Sequence, residues 1–588
     1  MIHVVNAIPP GAAVGLYVPG AGGTVSREGA IASLRRGKVE NALLGGKPGS
    51  KILADLSTRI GTPPAVYVTL PPPGRHPNTK RYLVGIAGPG FAGGILTSDS
   101  TRIDGLVAIP DITQTAVALA EHKSADIRST DGTVADLRAL DRRLSRVHRD
   151  RGWTLAAVAL TLFALAVVWP RAAVLVGATA VSVALWLSAT RTTRFWEVLL
   201  WMTAATIALA YLTSLRRRAI PFVVTIFFGA FLVNLAVSPE THALAVLGAR
   251  PDGGGRFYGV GNQVETLLLP PLIAAVVVGG LPWLVALGAL AVATVAWSKA
   301  GADGGGLVVY ATALAVLSLR LRRAPITWRR AALAAAGVIA LAFALVGIDA
   351  ALGGSSHVTH AVGSGSLFGD FARRMHLSWA LATKSAYNIA FFLVALAALV
   401  WIGTRTPRRP AVDAMLAALA VSLLVNDTPV DTIGLGALGC AALARWDSVD
   451  SRPMRRGALT AVAVLVVLML AGCGDKGVVK PLPKQVVGTV KQEAPGKAVF
   501  IAQGCGACHT YTPAGPEANG KIGPDLDKLA QYAKTAKQPL AKFVHESIVD
   551  PNKYVQPGYP KGVMPQSYKS IPAKQLKDLV DFLSKPQG

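Results

Sequence analysis

Cys505-Gly506-Ala507-Cys508-His509 is the stretch on which this 588-residue chain turns. Two thiols three residues apart with a histidine directly after them form the C-x-x-C-H attachment pattern for c-type haem. The thiols can add to the two vinyl groups of one haem, and the adjacent imidazole then sits under the iron as an axial ligand. The same five residues also allow a redox or zinc-binding Cys pair followed by an incidental histidine. What surrounds them decides.

Working outward, the residues on either side fall into order around the pentapeptide. Gly496 to Phe500 reads as a helix entering it, and Gly523-Pro524-Asp525-Leu526 as a turn after it. Residues 535–549 have amphipathic spacing, and Lys574 to Leu583 carry Leu576, Leu579, Val580 and Leu583 on one stripe. In this order, with Met564-Pro565 and an aromatic at Phe582, the segment resembles class I cytochrome c over residues 494–585. The stretch from Ile548 to Pro565 is similar to cytochrome domains fused to haem-copper oxidase subunits. The resemblance implies an all-α domain over 494–588, one covalent haem c on Cys505 and Cys508, and a close helix crossing at Gly496 near Phe582. The sixth iron ligand follows by elimination. After Cys473 the only methionine is Met564 and the only histidine besides His509 is His545. Met564 stands in a Gly/Pro-rich loop, His545 inside a helical stretch. Met564 and His509 are therefore the expected iron ligands, a pairing that raises the potential. Sixteen Lys against nine Asp and Glu from Gly474 onward favour an acidic redox partner, such as a terminal oxidase or a quinol-oxidising complex.

Further upstream the chain changes character. Whole-chain composition is 52% hydrophobic with mean hydropathy +0.44, too apolar for a soluble protein. After Arg456 there is no arginine, only lysine. At the junction, Met454-Arg455-Arg456 opens about fifteen apolar residues that end in Leu470-Ala471-Gly472-Cys473. Residues 454–473 read as a bacterial lipoprotein signal with Cys473 as the lipidated residue, or else as a twelfth membrane helix. Either way the basic end stays inside and the following residues lie outside. Residues 474–493 are a Lys, Pro, Val and Gly-rich linker.

Residues 151–445 read as a polytopic region of about eleven helices, with apolar stretches beginning near Trp153, Ala172, Phe195, Ala219, Thr266, Leu281, Gly304, Ala331, Asn388, Ala411 and Thr432. The formal net charge of +26 then marks cytoplasmic loops, not nucleic-acid binding. Arg216-Arg217-Arg218, Arg320 to Arg330, Arg405 to Arg409 and Arg445 to Arg456 are the dense clusters, and they place residues 1–150 outside. The cluster Arg142 to Arg151 runs against that orientation, and Met1-Ile2-His3-Val4-Val5-Asn6 has no secretory signal pattern. The same orientation gathers three polar loops on the outer face: Asp252 to Asn262 with Glu265 after it, Lys299 to Gly306, and Asn426 to Asp431. Ionisable groups near membrane depth mark a site, or these are solvated turns.

Residues 1–150 read as a small α/β outer domain, with strand-like runs such as Ala65-Val66-Tyr67-Val68-Thr69-Leu70. Gly255-Arg256-Phe257-Tyr258-Gly259-Val260-Gly261-Asn262, the Gly301 to Gly306 loop, and the stretches Ile86–Arg102 and Gly105–Thr115 resemble bacterial multispanning proteins with an alkaline-phosphatase-like ectodomain. That superfamily uses a two-metal cluster, whereas His3, His76, His122 and His148 are widely spread. The expected architecture is thus multi-domain: an outer α/β domain, a polytopic α-helical membrane region and an all-α cytochrome domain. The expected role is a membrane-anchored carrier of single electrons in the bacterial cytoplasmic membrane, bound to lipid and not to nucleic acid. The alternative is a multispanning enzyme or transporter with a fused cytochrome domain.

Overall fold

A computed structural model describes residues 1–40, 51–59, 62–191, 194–351, 367–446, 489–490, 494–515 and 518–585. Residues 454–473, and with them Cys473, lie outside the described residues, as do 474–488 of the expected linker. The chain divides into two compact units, one of residues 1–142, 252–255 and 478–588, the other of residues 143–251 and 256–477.

In the first unit a seven-stranded mixed sheet forms from the N-terminal residues. The strands are β1 (Ile2–Val4), β2 (Ala7–Ile8), β3 (Ala13–Tyr17), β4 (Thr24–Ser26), β5 (Leu56–Ser57), β6 (Ala65–Val68), β7 (Arg75–Pro77), β8 (Tyr82–Ala87), β9 (Ile95–Thr97), β10 (Arg128–Thr130) and β11 (Thr489–Val490). Sheet order is β10-β9-β3-β8-β6-β1-β5, with β4–β7 and β2–β11 as separate pairs. The central strands β3, β6 and β8 are buried along their whole length. Their runs are accordingly apolar without alternation, as strands covered on both faces must be. Helix α1 (Arg27–Arg36) is capped by Ser26, whose Oγ accepts from the Gly29 N–H at 3.0 Å. Helix α2 (Ile109–Ala120) packs beside it, and the Thr113 hydroxyl donates to the Leu34 carbonyl at 2.6 Å. Arg81 and Asp141 form a buried ion pair at 2.6 Å. The β11 strand falls in the expected linker: its β-branched Thr489-Val490 suits a paired, extended backbone.

The second unit is helical. Its helices are α3 (Val134–Val168), α4 (Pro170–Ala173), α5 (Val176–Ala189), α6 (Phe195–Leu215), α7 (Ile220–Val237), α8 (Pro239–Ala243), α9 (Asn262–Gly279), α10 (Leu281–Ala296), α11 (Gly304–Leu321), α12 (Trp328–Ala351), α13 (Leu367–Ala382), α14 (Ala386–Gly403), α15 (Pro410–Val425) and α16 (Pro429–Trp446). Among the described residues seven helices are long and apolar enough to cross a membrane, and α5, α10 and α15 are shorter apolar helices. Large apolar side chains point away from the core, with Ile226 at 72% and Leu333 at 72% exposure. Lipid is the solvent that tolerates such a surface. Helix α9 runs through the middle, with 78% of its apolar window buried. Proline opens α4, α7, α8, α10 and α15, where the missing N–H costs nothing.

Two features depart from the sequence reading. The expected boundary at residue 150 falls inside α3, a single 35-residue helix, because nothing between Val134 and Val168 breaks helical geometry. Helix α13 was not anticipated; its Asp370, Arg373 and Arg374 dilute the apolar signal.

The cytochrome-like segment belongs to the first unit and contains α17 (Pro495–Ala502), α18 (Leu529–Thr535), α19 (Leu540–Val549) and α20 (Ala573–Leu583). The amphipathic helix expected over 535–549 is α19, which starts only at Leu540: Lys537 takes φ 53°, and Pro539 stands at its N-cap. Phe500, Tyr511, Phe543, Val544, Leu576, Leu579 and Leu583 make its core.

Candidate haem site

Helix α17 aims the chain at the site. Its last turn gives way at Gly504 (φ 70°), and Cys505–Ala507 form a short 3₁₀ turn. In that turn the Cys508 and His509 N–H groups both donate to the Cys505 carbonyl, at 3.2 and 3.0 Å. The compact turn brings both sulfurs and the imidazole to one side, where all three line a single cavity of about 170 Å³.

The imidazole is held from behind. His509 Nδ1 bonds the Pro524 carbonyl at 2.7 Å, so the ring presents Nε2 to the cavity. Gly523 makes that approach possible: a Cβ there would lie 2.4 Å from His509 Cε1. The Gly523 N–H in turn donates to the Cys508 carbonyl at 2.8 Å.

Later segments complete the lining of the cavity. Met564 lines the cavity together with Val555, Tyr559, Val563 and Tyr568. The Met564 loop is pinned by Asn552, whose Oδ1 accepts from the Gly562 N–H at 2.9 Å. Tyr568 donates its hydroxyl to the Gln503 carbonyl at 3.2 Å. Phe543, Val544, Ile548, Leu579 and Leu583 supply the apolar lining. His545 points out of the helix into solvent and does not line the cavity.

The helix crossing that supports this wall needs a glycine. A Cβ at Gly496 would lie 2.1 Å from the Asp578 carbonyl oxygen and 2.4 Å from Phe582 Cβ. Above the crossing, Phe500, Tyr511 and Phe582 pack with centroids 5.4 to 6.1 Å apart, and the Tyr511 hydroxyl donates to the Phe582 carbonyl at 3.1 Å.

Burial sets the electrostatics. It pushes the Cys505 thiol up to about 12, with the neighbouring Cys508 adding to the rise. Burial also lowers His509, against the partial support of the Pro524 hydrogen bond, and keeps its imidazole neutral. Two thiols, an imidazole whose Nδ1 is held by Pro524, and a thioether around an apolar slot form the donor set of a covalently held haem. The cavity fits the group. Sequence reasoning placed Pro524 in a turn without giving it a role, and gave none to Asn552 or Tyr568. Pro524 acts through its backbone carbonyl, Asn552 lies in a turn, and Tyr568 lies in a short 3₁₀ helix without apolar periodicity.

A second polar cluster lies in the helical unit, where the three expected loops meet. Arg256 pairs with Asp303 at 3.3 Å, and Asp303 caps α11 by accepting from the Gly305 and Gly306 N–H groups at 3.1 Å. Asn262 donates to Asp427 and Thr428 at 2.9 Å. The fully buried Glu265 accepts from the Asn426 amide at 3.2 Å. Among the described residues no three His, Cys, Asp or Glu side chains are grouped to hold a metal ion directly. His3 and His76 instead bond separate backbone carbonyls, Arg59 at 2.7 Å and Pro73 at 2.8 Å.

A protein-family model described as Cytochrome c matches residues 493–586. No curated protein and no solved structure matches the chain. Residues 493–586 are a cytochrome c domain, which supports a haem-binding electron carrier, in a chain whose described residues include seven helices apolar enough for a membrane.

Proposed function

We propose that the chain is a membrane-anchored c-type cytochrome that passes single electrons along a respiratory chain of the bacterial cytoplasmic membrane, with its cytochrome domain on the outer face. The observation that carries this reading is the convergence of Cys505, Cys508, His509 and Met564 on one apolar cavity. Cys505 and Cys508 would each add S–H across a vinyl group, the sulfur bonding one carbon and the hydrogen the other. His509 would offer Nε2 to the iron while its Nδ1–H stays on Pro524. Met564 would offer its thioether from the loop that Asn552 pins. A haem held there supplies one reversible electron. The apolar wall would keep water away from a haem held there, and the lysine excess favours docking on an acidic redox partner such as a terminal oxidase or a quinol-oxidising complex. Cleavage before Cys473 with lipidation of that residue would instead leave the cytochrome domain held by its own lipid anchor.

The test is ligand access. Met564→Ala should open the reduced iron to carbon monoxide, and Met564→His should keep it closed while lowering the midpoint potential. His545→Ala should do neither. Carbon monoxide binding unchanged by Met564→Ala would refute the ligand assignment.

The Glu265, Asn426, Asp303 and Arg256 cluster favours a second reading, in which the membrane region is an enzyme or transporter and the cytochrome domain its redox accessory. Buried ionisable groups among apolar helices are costly and are kept for function. Glu265→Gln should then abolish a transport or catalytic activity of the membrane region while leaving haem attachment intact.

A further inference from the structure

The Arg142 to Arg151 cluster that ran against the arginine pattern has a structural setting of its own. Arg146, Arg149 and Asp150 of α3 and Arg194, Phe195 and Trp196 at the start of α6 line an open depression of about 360 Å³. Three guanidinium groups face one carboxylate there. Arg149 holds Asp150 at 2.9 Å, and Arg146 reaches the Arg191 carbonyl at 3.4 Å. Neither Arg146 nor Arg194 has a carboxylate partner among the described residues.

Tryptophans border the same place. Trp153 packs on Phe195 with centroids 6.2 Å apart, and Trp186 meets Trp201 edge-on at 5.7 Å. Trp153, Trp186 and Trp196 are each about half exposed, at 52%, 51% and 48%. Trp196 lines the depression and Trp153 packs on its Phe195, while Trp186 near the end of α5 meets Trp201 of α6. Half-exposed indoles on apolar helices mark the level of lipid headgroups. Guanidinium forks match phosphate oxygens in pairs, and basic pockets between membrane helices take anionic headgroups.

We infer that this depression binds the phosphate of an anionic phospholipid, with Arg146, Arg149 and Arg194 as its donors. The tryptophans place the site at the height where such a phosphate lies, which favours a lipid over a free anion. The site is independent of the haem and of which compartment this end of the bundle faces.

The test uses the full chain, delipidated in a non-ionic detergent, with binding read by native mass spectrometry. Phosphatidylglycerol should bind about 30-fold more tightly than phosphatidylcholine, as two uncompensated basic groups predict. Arg146→Gln/Arg149→Gln/Arg194→Gln should erase that preference, and the corresponding lysine triple should keep most of it. If the glutamine triple does not fold, Arg194→Gln alone should lose about fivefold. Equal binding of the two lipids, or a preference untouched by the glutamine variants, would overturn the inference. Displacement of phosphatidylglycerol by millimolar inorganic phosphate would reassign the depression to a free anion and overturn the lipid assignment.

Discussion

His509 owes its orientation to a backbone oxygen, which makes Gly523 as sensitive as the ligand itself. With Pro524 holding Nδ1 at 2.7 Å and Gly523 beneath the ring, any side chain at 523 must displace the imidazole. Gly523→Ala is expected to leave the thioether bonds in place but weaken the His509 ligand, lowering the low-spin fraction of the ferric spectrum. An unchanged spectrum would contradict the geometry. The proposed haem-binding residues stand out in the sequence because their chemistry is local. Two thiols and an imidazole must stand at fixed spacing in one turn, and the spacing survives in the sequence. Pro524 and Asn552 were not legible, since a carbonyl and a loop amide leave no pattern. Outside this domain, His242 carries a second residue-scale prediction. Burial, with the nearby Arg151 charge, holds its imidazole down at about 4 against 6.5 for an exposed histidine. The unfolded chain therefore binds a proton first as pH falls. Stability is full above pH 6.5 and is lost toward pH 4, by about 3 kcal/mol. The thermal midpoint of the helical unit should fall over that window in wild type and fall less in His242→Gln. Equal slopes would contradict it.

At the scale of elements, the α17–α20 crossing is the contact that closes the cytochrome domain. Its approach at Gly496 leaves no room for a methyl group. Gly496→Ala should cost about 1–3 kcal/mol of stability, the usual price of overpacking, read as a lowered denaturation midpoint of the haem-loaded protein. A midpoint unchanged within error would show that the helices can slide apart. The final helix was legible from its stripe of Leu576, Leu579, Val580 and Leu583, all buried. The helix expected over 535–549 begins five residues later, at Leu540, because Pro539 stands in extended geometry at its N-cap and apolar spacing alone does not mark that start. In the N-terminal sheet, the run at Ala65–Val68 declared a strand by its β-branched residues. The strand order did not follow, because pairing partners such as β3 and β8 lie far apart in sequence.

For the whole molecule, hydropathy carried most of the information. Helices that face lipid need long apolar runs, so the sequence announces them. The meeting of the loops at 256–262, 299–306 and 426–431 was also legible, because helices that cross repeatedly return alternate loops to the same end. The hydrogen bonds between these loops depend on register and were not. The central claim concerns the cytochrome domain and rests on a covalent bond, which can be tested directly. The full chain, 61.1 kDa, should be separated by denaturing electrophoresis and stained for haem peroxidase activity. Wild type should keep haem in the band, Cys505→Ala/Cys508→Ala should lose it, and acid-acetone should extract none from wild type. Haem that leaves the wild-type chain on extraction, or that stays in the band of the double variant, would contradict the account.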